Sequence, residues 1–211
     1  MTKQIDIYFQ LLSQLVPPLP QQDVSRSVLK AYQQQHIEVY RAAQLARQLG
    51  VTPDALQFST MEYGKPFLQN FPELAFNHSH GREHYALALS QTLADIGIDI
   101  ESLQRKVRFD ALAQHAFHPE EYQHWQATDY HPSYWFQVWT AKEAILKACG
   151  LGIRMSLNQL NTNTQFEQMQ GRCQHPDLGH FRYQHQVLHG AMLTIAWRET
   201  AEYPQIMFHC G

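Results

Sequence analysis

No stretch of this sequence approaches the roughly 20 consecutive apolar residues that a membrane-crossing helix needs. Cationic excess is also missing. Lysine and arginine number 16 against 19 acidic residues, a formal net charge of -3, which excludes a strongly basic nucleic-acid binder. Any site for a polyanion must therefore gather its cations locally. Cysteine is scarce: Cys149, Cys173 and Cys210 are odd in number and lack metal-type pair spacing, which reads as buried thiols in a reducing compartment. Met1-Thr2-Lys3-Gln4-Ile5-Asp6 does not open an apolar run ending in small residues, so no signal peptide is expected. These absences together predict a soluble cytoplasmic protein.

The chain has 211 residues, enough for one large domain or two small ones sharing a core, and its 44% apolar content is that of a folded protein. Histidine is frequent, 13 in all, and most are expected on the surface. The first 20 residues read as a strand or short helix followed by a proline-rich turn at Pro17, Pro18 and Pro20. Asp23-Val24-Ser25 reads as a helix start. A helical pattern runs from there to Leu49, over one helix or two, with Gly50 just past its end. Thr52-Pro53-Asp54 opens a short turn of helix. Gln57 onward is a short strand into the Gly64-Lys65-Pro66 turn, and 74–80 and 85–90 look like paired strands.

Apolar alternation at Ile96, Ile98 and Ile100 predicts another strand. Helices are predicted at 109–117, from His118-Pro119, and from Pro132 to Cys149 with Gly150 ending the last. From Ile153 onward strand-like runs mix with turns, 191–197 being the clearest strand. Strands and helices do not alternate regularly, which favours α+β over a doubly wound sheet. Each half holds helices and three or four strands, so two similar lobes are expected, residues 1–96 and 97–211.

Two segments carry the chemistry. In Gly97-Ile98-Asp99-Ile100-Glu101, residues two apart share a face, so Asp99 and Glu101 point one way while the isoleucines fill the other. Their Cα atoms would stand roughly 6.6 Å apart, and two charges at that distance repel by about 2.5 kcal/mol at an effective dielectric near 20. A bound cation would remove that cost. On the helix, Trp135, Val138, Trp139, Ile145, Leu146 and Cys149 form the apolar stripe. Trp139, Glu143 and Lys147, four apart, run along its edge. Three carboxylates suit a hard divalent ion, Mg2+ or Mn2+ rather than Zn2+, and lysine beside them suits chemistry on a phosphate ester. Trp125, Trp135, Trp139 and Cys149 are read as core.

Four blocks, in order, resemble the surfactin-synthetase-activating type of 4'-phosphopantetheinyl transferase. They are Glu62-Tyr63-Gly64-Lys65-Pro66, Phe76-Asn77-His78-Ser79-His80, Gly97-Ile98-Asp99-Ile100-Glu101, and Trp139-x-x-Lys142-Glu143-Ala144-x-x-Lys147. The blocks span residues 62 to 147, and the resemblance is weak in the first 50 residues and after about residue 155. It implies transfer of the phosphopantetheine arm of coenzyme A to a serine of an acyl or peptidyl carrier protein, releasing 3',5'-ADP. It implies two α+β lobes related by a pseudo-twofold axis, the site between them, in a monomer.

It also implies residue roles. Asp99, Glu101 and Glu143 would hold Mg2+ against the diphosphate. Lys142 and Lys147 would lie near the metal, Lys147 touching phosphate or leaving group. Ser79 and His80 match coenzyme A contacts, Lys65 would add charge at the nucleotide phosphates, and Pro66 would fix the turn. The serine's proton would go to Glu101, to a metal-bound water, or to Glu121, and sequence does not choose among these. The chain departs from the family where Gln33-Gln34-Gln35 stands in place of an expected arginine and where His78 replaces an apolar residue. Arg26, Lys30 and Arg41 are the candidate contacts for the 3'-phosphate.

Two other readings stay open. His78, His80 and His84 resemble a zinc-hydrolase cluster, though the spacing is one residue off H-x-H-x-D-H. Arg105, Lys106 and Arg108 would let a non-catalytic module dock an acidic carrier, or would simply form a solvated basic face.

Overall fold

The computed structural model describes residues 2–19, 25–150 and 155–210. Pro20, Asp23, Val24 and Ile153, all used above to place turns and element starts, lie outside the described residues. Strand β1 (Gln4–Leu11) runs into a single helical turn, α1 (Leu12–Leu15), so both early readings of this segment hold in succession. Helix α2 (Arg26–Leu49) is one unbroken helix. The Ser25 hydroxyl accepts from the Val28 amide at its start, and Gly50 ends it in the left-handed conformation.

A two-stranded ribbon follows, β2 (Phe58–Thr60) and β3 (Pro66–Leu68), then β4 (Ala75–His80), β5 (His84–Ser90) and β6 (Ile96–Ser102). Helices α3 (Phe109–Ala116), α4 (Pro119–Ala127) and α5 (Pro132–Cys149) precede strands β7 (Gln170–His175), β8 (Gly179–Leu188), β9 (Ala191–Arg198) and β10 (Gln205–Cys210). Proline opens both α4 and α5, where its missing amide hydrogen costs nothing.

Two four-stranded sheets are built, in the orders β10-β1-β5-β4 and β6-β9-β8-β7. All of their pairings are antiparallel except β1 with β10. The mixed α+β class expected from sequence is the one observed. Strand β6 starts at Ile96, and β10, from the far end of the chain, joins the first sheet rather than the second.

The sheets pack face to face. Ile5, Ile7 and Phe9 of β1 meet Ile96, Ile98 and Ile100 of β6 in one cluster. The outer face of the first sheet carries Tyr85, Leu87 and Leu89 against Ile37, Leu45 and Ala46 of α2. The outer face of the second carries Phe181, Tyr183 and Ala196 against Ala141, Ile145 and Leu146 of α5. The order is therefore helix, sheet, sheet, helix. Each buried isoleucine contributes about 1.5–3 kcal/mol, and a one-residue slip of β6 would turn all three out of the inter-sheet core and drive Asp99 and Glu101 into it. That cost fixes Asp99 and Glu101 on the opposite face, toward α5.

Candidate active site

The strands at which the two sheets meet, β4 and β6, are edges of their sheets. Period-two alternation sends Phe76 and His78 of β4 toward α2, and Asn77 and Ser79 toward β6. Asn77 Oδ1 accepts from the Ile98 amide at 2.9 Å, and Ser79 Oγ donates to Asp99 Oδ1 at 2.8 Å. Helix α5 closes the third side. Lys147 Nζ donates to Asp99 Oδ1 at 2.7 Å, to Ser79 Oγ at 3.0 Å and to the Ile98 carbonyl at 3.3 Å. Asp99 is 5% exposed, and its second oxygen, Oδ2, is buried with no hydrogen-bond partner among the described residues. A buried carboxylate oxygen left over in this way costs free energy unless a cation meets it.

Gly97 makes the approach of α5 possible. A Cβ there would overlap the Ala144 carbonyl and the backbone of Ala148. The missing side chain lets helix and strand backbones touch and so sets how near Glu143 and Lys147 come to Asp99. Lys65 braces the same junction, its ammonium donating to the Ala148 carbonyl at 2.7 Å and to Ile96 O at 3.3 Å. Burial lowers its pKa. Gly150 ends α5 in the left-handed conformation.

The three carboxylates read from sequence feel one another. Burial raises the pKa of Glu143, and the charges of Asp99 and then Glu101 raise it further while Lys147 opposes them. Glu101 is raised for the same first reason, with a hydrogen bond from Arg105 acting against it. Arg105 Nη1 pairs with Glu101 Oε1. As they stand, no three His, Cys, Asp or Glu side chains among the described residues are arranged to hold a metal ion. Two protein cations instead sit on the acidic group, Lys147 on Asp99 and Arg105 on Glu101.

Two grooves leave this centre. One, of about 210 Å³, is lined by Lys65, Pro66, His78 and Lys147 among others. The second, of about 700 Å³, is lined by His80, Arg82, Glu101, Arg105 and Lys106 among others. Partial burial, then Lys147 and Lys30, lower the pKa of His80, so the ring is neutral at pH 7. Arg41 is turned to His78, with its Nη1 2.9 Å from His78 Nε2. Burial, helped by the Arg41 charge, pulls the His78 pKa down to about 3, so the ring is neutral and Nε2 accepts from the guanidinium.

Lys142 and Glu121 do not join this group. Lys142 Nζ pairs with Glu121 Oε2 at 2.7 Å, both side chains 1% exposed, and donates to the carbonyls of Leu157 and Leu160. Glu121 also receives the His118 amide in the capping box of α4 and both the amide and hydroxyl of Thr162. Both oxygens of that carboxylate are engaged by protein donors, and the pair lies in the interior rather than at the Asp99 cluster. The three histidines of the zinc reading are not gathered around one point either: His78 is held by Arg41, and His84 Nε2 lies 3.1 Å from the His189 carbonyl. Trp125 and Trp135 are core as expected, with Trp139 stacked on Trp135. Burial raises the Cys149 thiol to about 11, which suits a packing residue and not a nucleophile. Asn77 and Gly97 received no role from sequence, although period two puts Asn77 on the face of Ser79, and a lone glycine inside a strand marks close backbone approach.

Among the described residues no helix is long and apolar enough to cross a membrane. The sequence profile of the 4'-phosphopantetheinyl transferase superfamily matches residues 95–203. The chain is 32% identical over 118 residues to a 4'-phosphopantetheinyl transferase of Bacillus subtilis, covering 55% of this chain and 51% of that one. It is 30% identical over 119 residues to the 4'-phosphopantetheinyl transferase Sfp of Bacillus subtilis strain 168, covering 56% and 51%. With the 4'-phosphopantetheinyl transferase gsp of Aneurinibacillus migulanus it shares 33% identity over 155 residues, covering 71% and 62%. The matched region spans about half to three-fifths of the length of these relatives. With a profile match over more than half of its residues, the two strongest blocks of the resemblance among them, this chain belongs to the 4'-phosphopantetheinyl transferase superfamily.

Proposed function

We propose that this chain transfers the phosphopantetheine arm of coenzyme A to a serine of an acyl or peptidyl carrier protein. The observation that carries the reading is the cluster of Ser79, Asp99 and Lys147, contributed by β4, β6 and α5, with Asp99 Oδ2 buried and unpartnered at its centre. Asp99, Glu101 and Glu143 would hold a divalent cation there, an all-oxygen donor set that suits Mg2+ or Mn2+. Such an ion, when bound, neutralises the diphosphate and makes the attacked phosphorus more electrophilic.

The chain's own residues do the rest. The carrier serine oxygen bonds to the phosphorus that bears the pantetheine arm. The bond from that phosphorus to the bridging oxygen breaks, and adenosine 3',5'-bisphosphate leaves with the electron pair. Lys147 places a positive charge where the leaving oxygen develops negative charge. Glu143 takes the serine proton. It has no protein cation bonded to it among the described residues, so with one oxygen toward the cation the other can take the proton. Glu101, held by Arg105, orients rather than accepts. Lys65, Pro66, Ser79, His80 and Lys147 border the centre and its grooves, and we assign them to coenzyme A.

In the same reading the two sheets are the cores of two related lobes divided near residues 96 and 97. One copy of the chain suffices, because β4, β6 and α5 supply the centre, and the enzyme works in the cytoplasm beside its substrates. Incubation with coenzyme A, Mg2+ and several apo-carriers, followed by intact mass, tests the activity. The expected result is a carrier heavier by one phosphopantetheine arm. A panel of carriers that all stay unmodified while coenzyme A remains intact would reject it.

A further inference from the structure

We propose that Arg105 is a positioning residue that fixes Glu101 in the posture from which it holds a divalent cation. This rests on the reading of Asp99, Glu101 and Glu143 as the cation's ligands.

The two strand carboxylates are treated alike. Asp99 is pinned through Oδ1 by Ser79 and Lys147, and Oδ2 is left over. Glu101 is pinned through Oε1 by Arg105, and its other oxygen makes no ion pair or hydrogen bond among the described residues. In each case one oxygen is anchored and one is spare, which is the arrangement of a ligand with a supporting shell. Charge-assisted hydrogen bonds of this kind hold a carboxylate to one rotamer.

The backbone aims Arg105 at its task. The chain turns at the end of β6, with the Arg105 amide donating to the Ser102 carbonyl at 3.0 Å and the Gln104 amide to Ser102 Oγ at 3.3 Å. The Leu103 amide ties the turn to the Gly190 carbonyl at 2.9 Å. That geometry folds the guanidinium back over Glu101. The Arg105 side chain is 45% exposed and that of Glu101 16%, so the arginine covers the carboxylate from the solvent side. Lys106, the next residue, lines the same groove but makes no ion pair among the described residues. The two adjacent cations therefore differ in role, although their charges are the same.

Titration with Mn2+, followed by its electron paramagnetic resonance signal without coenzyme A or carrier, separates them. Arg105→Gln should weaken Mn2+ binding roughly 10–100-fold, the usual effect of removing an outer-shell partner. Arg105→Lys should recover part of it, and Lys106→Gln should bind as the wild type does. Thermal melts of all three should match the wild type, since the positions are exposed. Unchanged or tighter Mn2+ binding by Arg105→Gln would overturn the assignment, as would an equal loss in Lys106→Gln, which would show a general charge effect. Wild-type protein that binds no Mn2+ would instead reject the three-carboxylate site itself, and the role of Arg105 with it.

Discussion

Lys142 Nζ stands 2.7 Å from Glu121 Oε2 in the interior, each side chain only 1% exposed. Removing one partner of such a pair leaves an uncompensated buried charge, at a cost of about 3–5 kcal/mol. Lys142→Met should lower the urea midpoint accordingly. The folded fraction should still bind Mn2+ as the wild type does. A variant of normal stability that has lost cation binding would return Lys142 to the site.

Asp99→Asn removes a ligand and also the counter-ion of Lys147. Its loss of Mn2+ affinity should exceed the roughly 10–100-fold that an outer-shell change costs. Glu143→Gln should fold normally by circular dichroism, keep coenzyme A binding by calorimetry, and fail in transfer. Full transfer activity in Glu143→Gln would remove it as the proton acceptor.

Gly97→Ala forces a methyl group into the backbone of α5. Overpacking of this kind costs typically 1–3 kcal/mol, so the melting temperature should fall. Because the strain acts along the line from β6 to Glu143 and Lys147, Mn2+ affinity should fall too. A lower melting temperature with cation binding intact would mean that the helix tilts without moving its ligands.

His78 and His185 have pKa values lowered to about 3, chiefly by burial. Both are neutral when folded, whereas the unfolded chain takes up protons below about pH 6.5. The unfolded state then binds more protons than the folded one between about 6.5 and 3. Stability is therefore complete above about 6.5 and is lost progressively as pH falls toward 3. The slope is roughly 1.4 kcal/mol per pH unit for each histidine. His78→Leu should make the pH dependence of the urea midpoint shallower across that window. An unchanged slope would mean that His78 is protonated in the native protein.

Much of the centre was legible in the sequence because it is local. Alternation in β6 puts Asp99 and Glu101 on one face, and spacing by four puts Glu143 and Lys147 on one edge of α5. Neither inference needs knowledge of the fold. Lys142 was misplaced because α5 is read from sequence as having one buried stripe, when it is covered on several sides. Sheet two lies against one face, and α3, α4 and Leu157 cover others. A lysine pointing away from the stripe then meets Glu121 instead of water. The pairing of β10 with β1 was invisible for a related reason: its partner is two hundred residues away, and its burial pattern is weak.

The outward edge of β6 has a second significance. Its backbone groups facing the first sheet are occupied by side chains from three of the four blocks: Lys65 on the Ile96 carbonyl, Asn77 on the Ile98 amide, and Lys147 on the Ile98 carbonyl. A bare strand edge is a template for another polypeptide to add to. The residues of the proposed centre therefore also cover that edge, and substitutions at Lys65, Asn77 or Lys147 should lower solubility as well as any transfer activity.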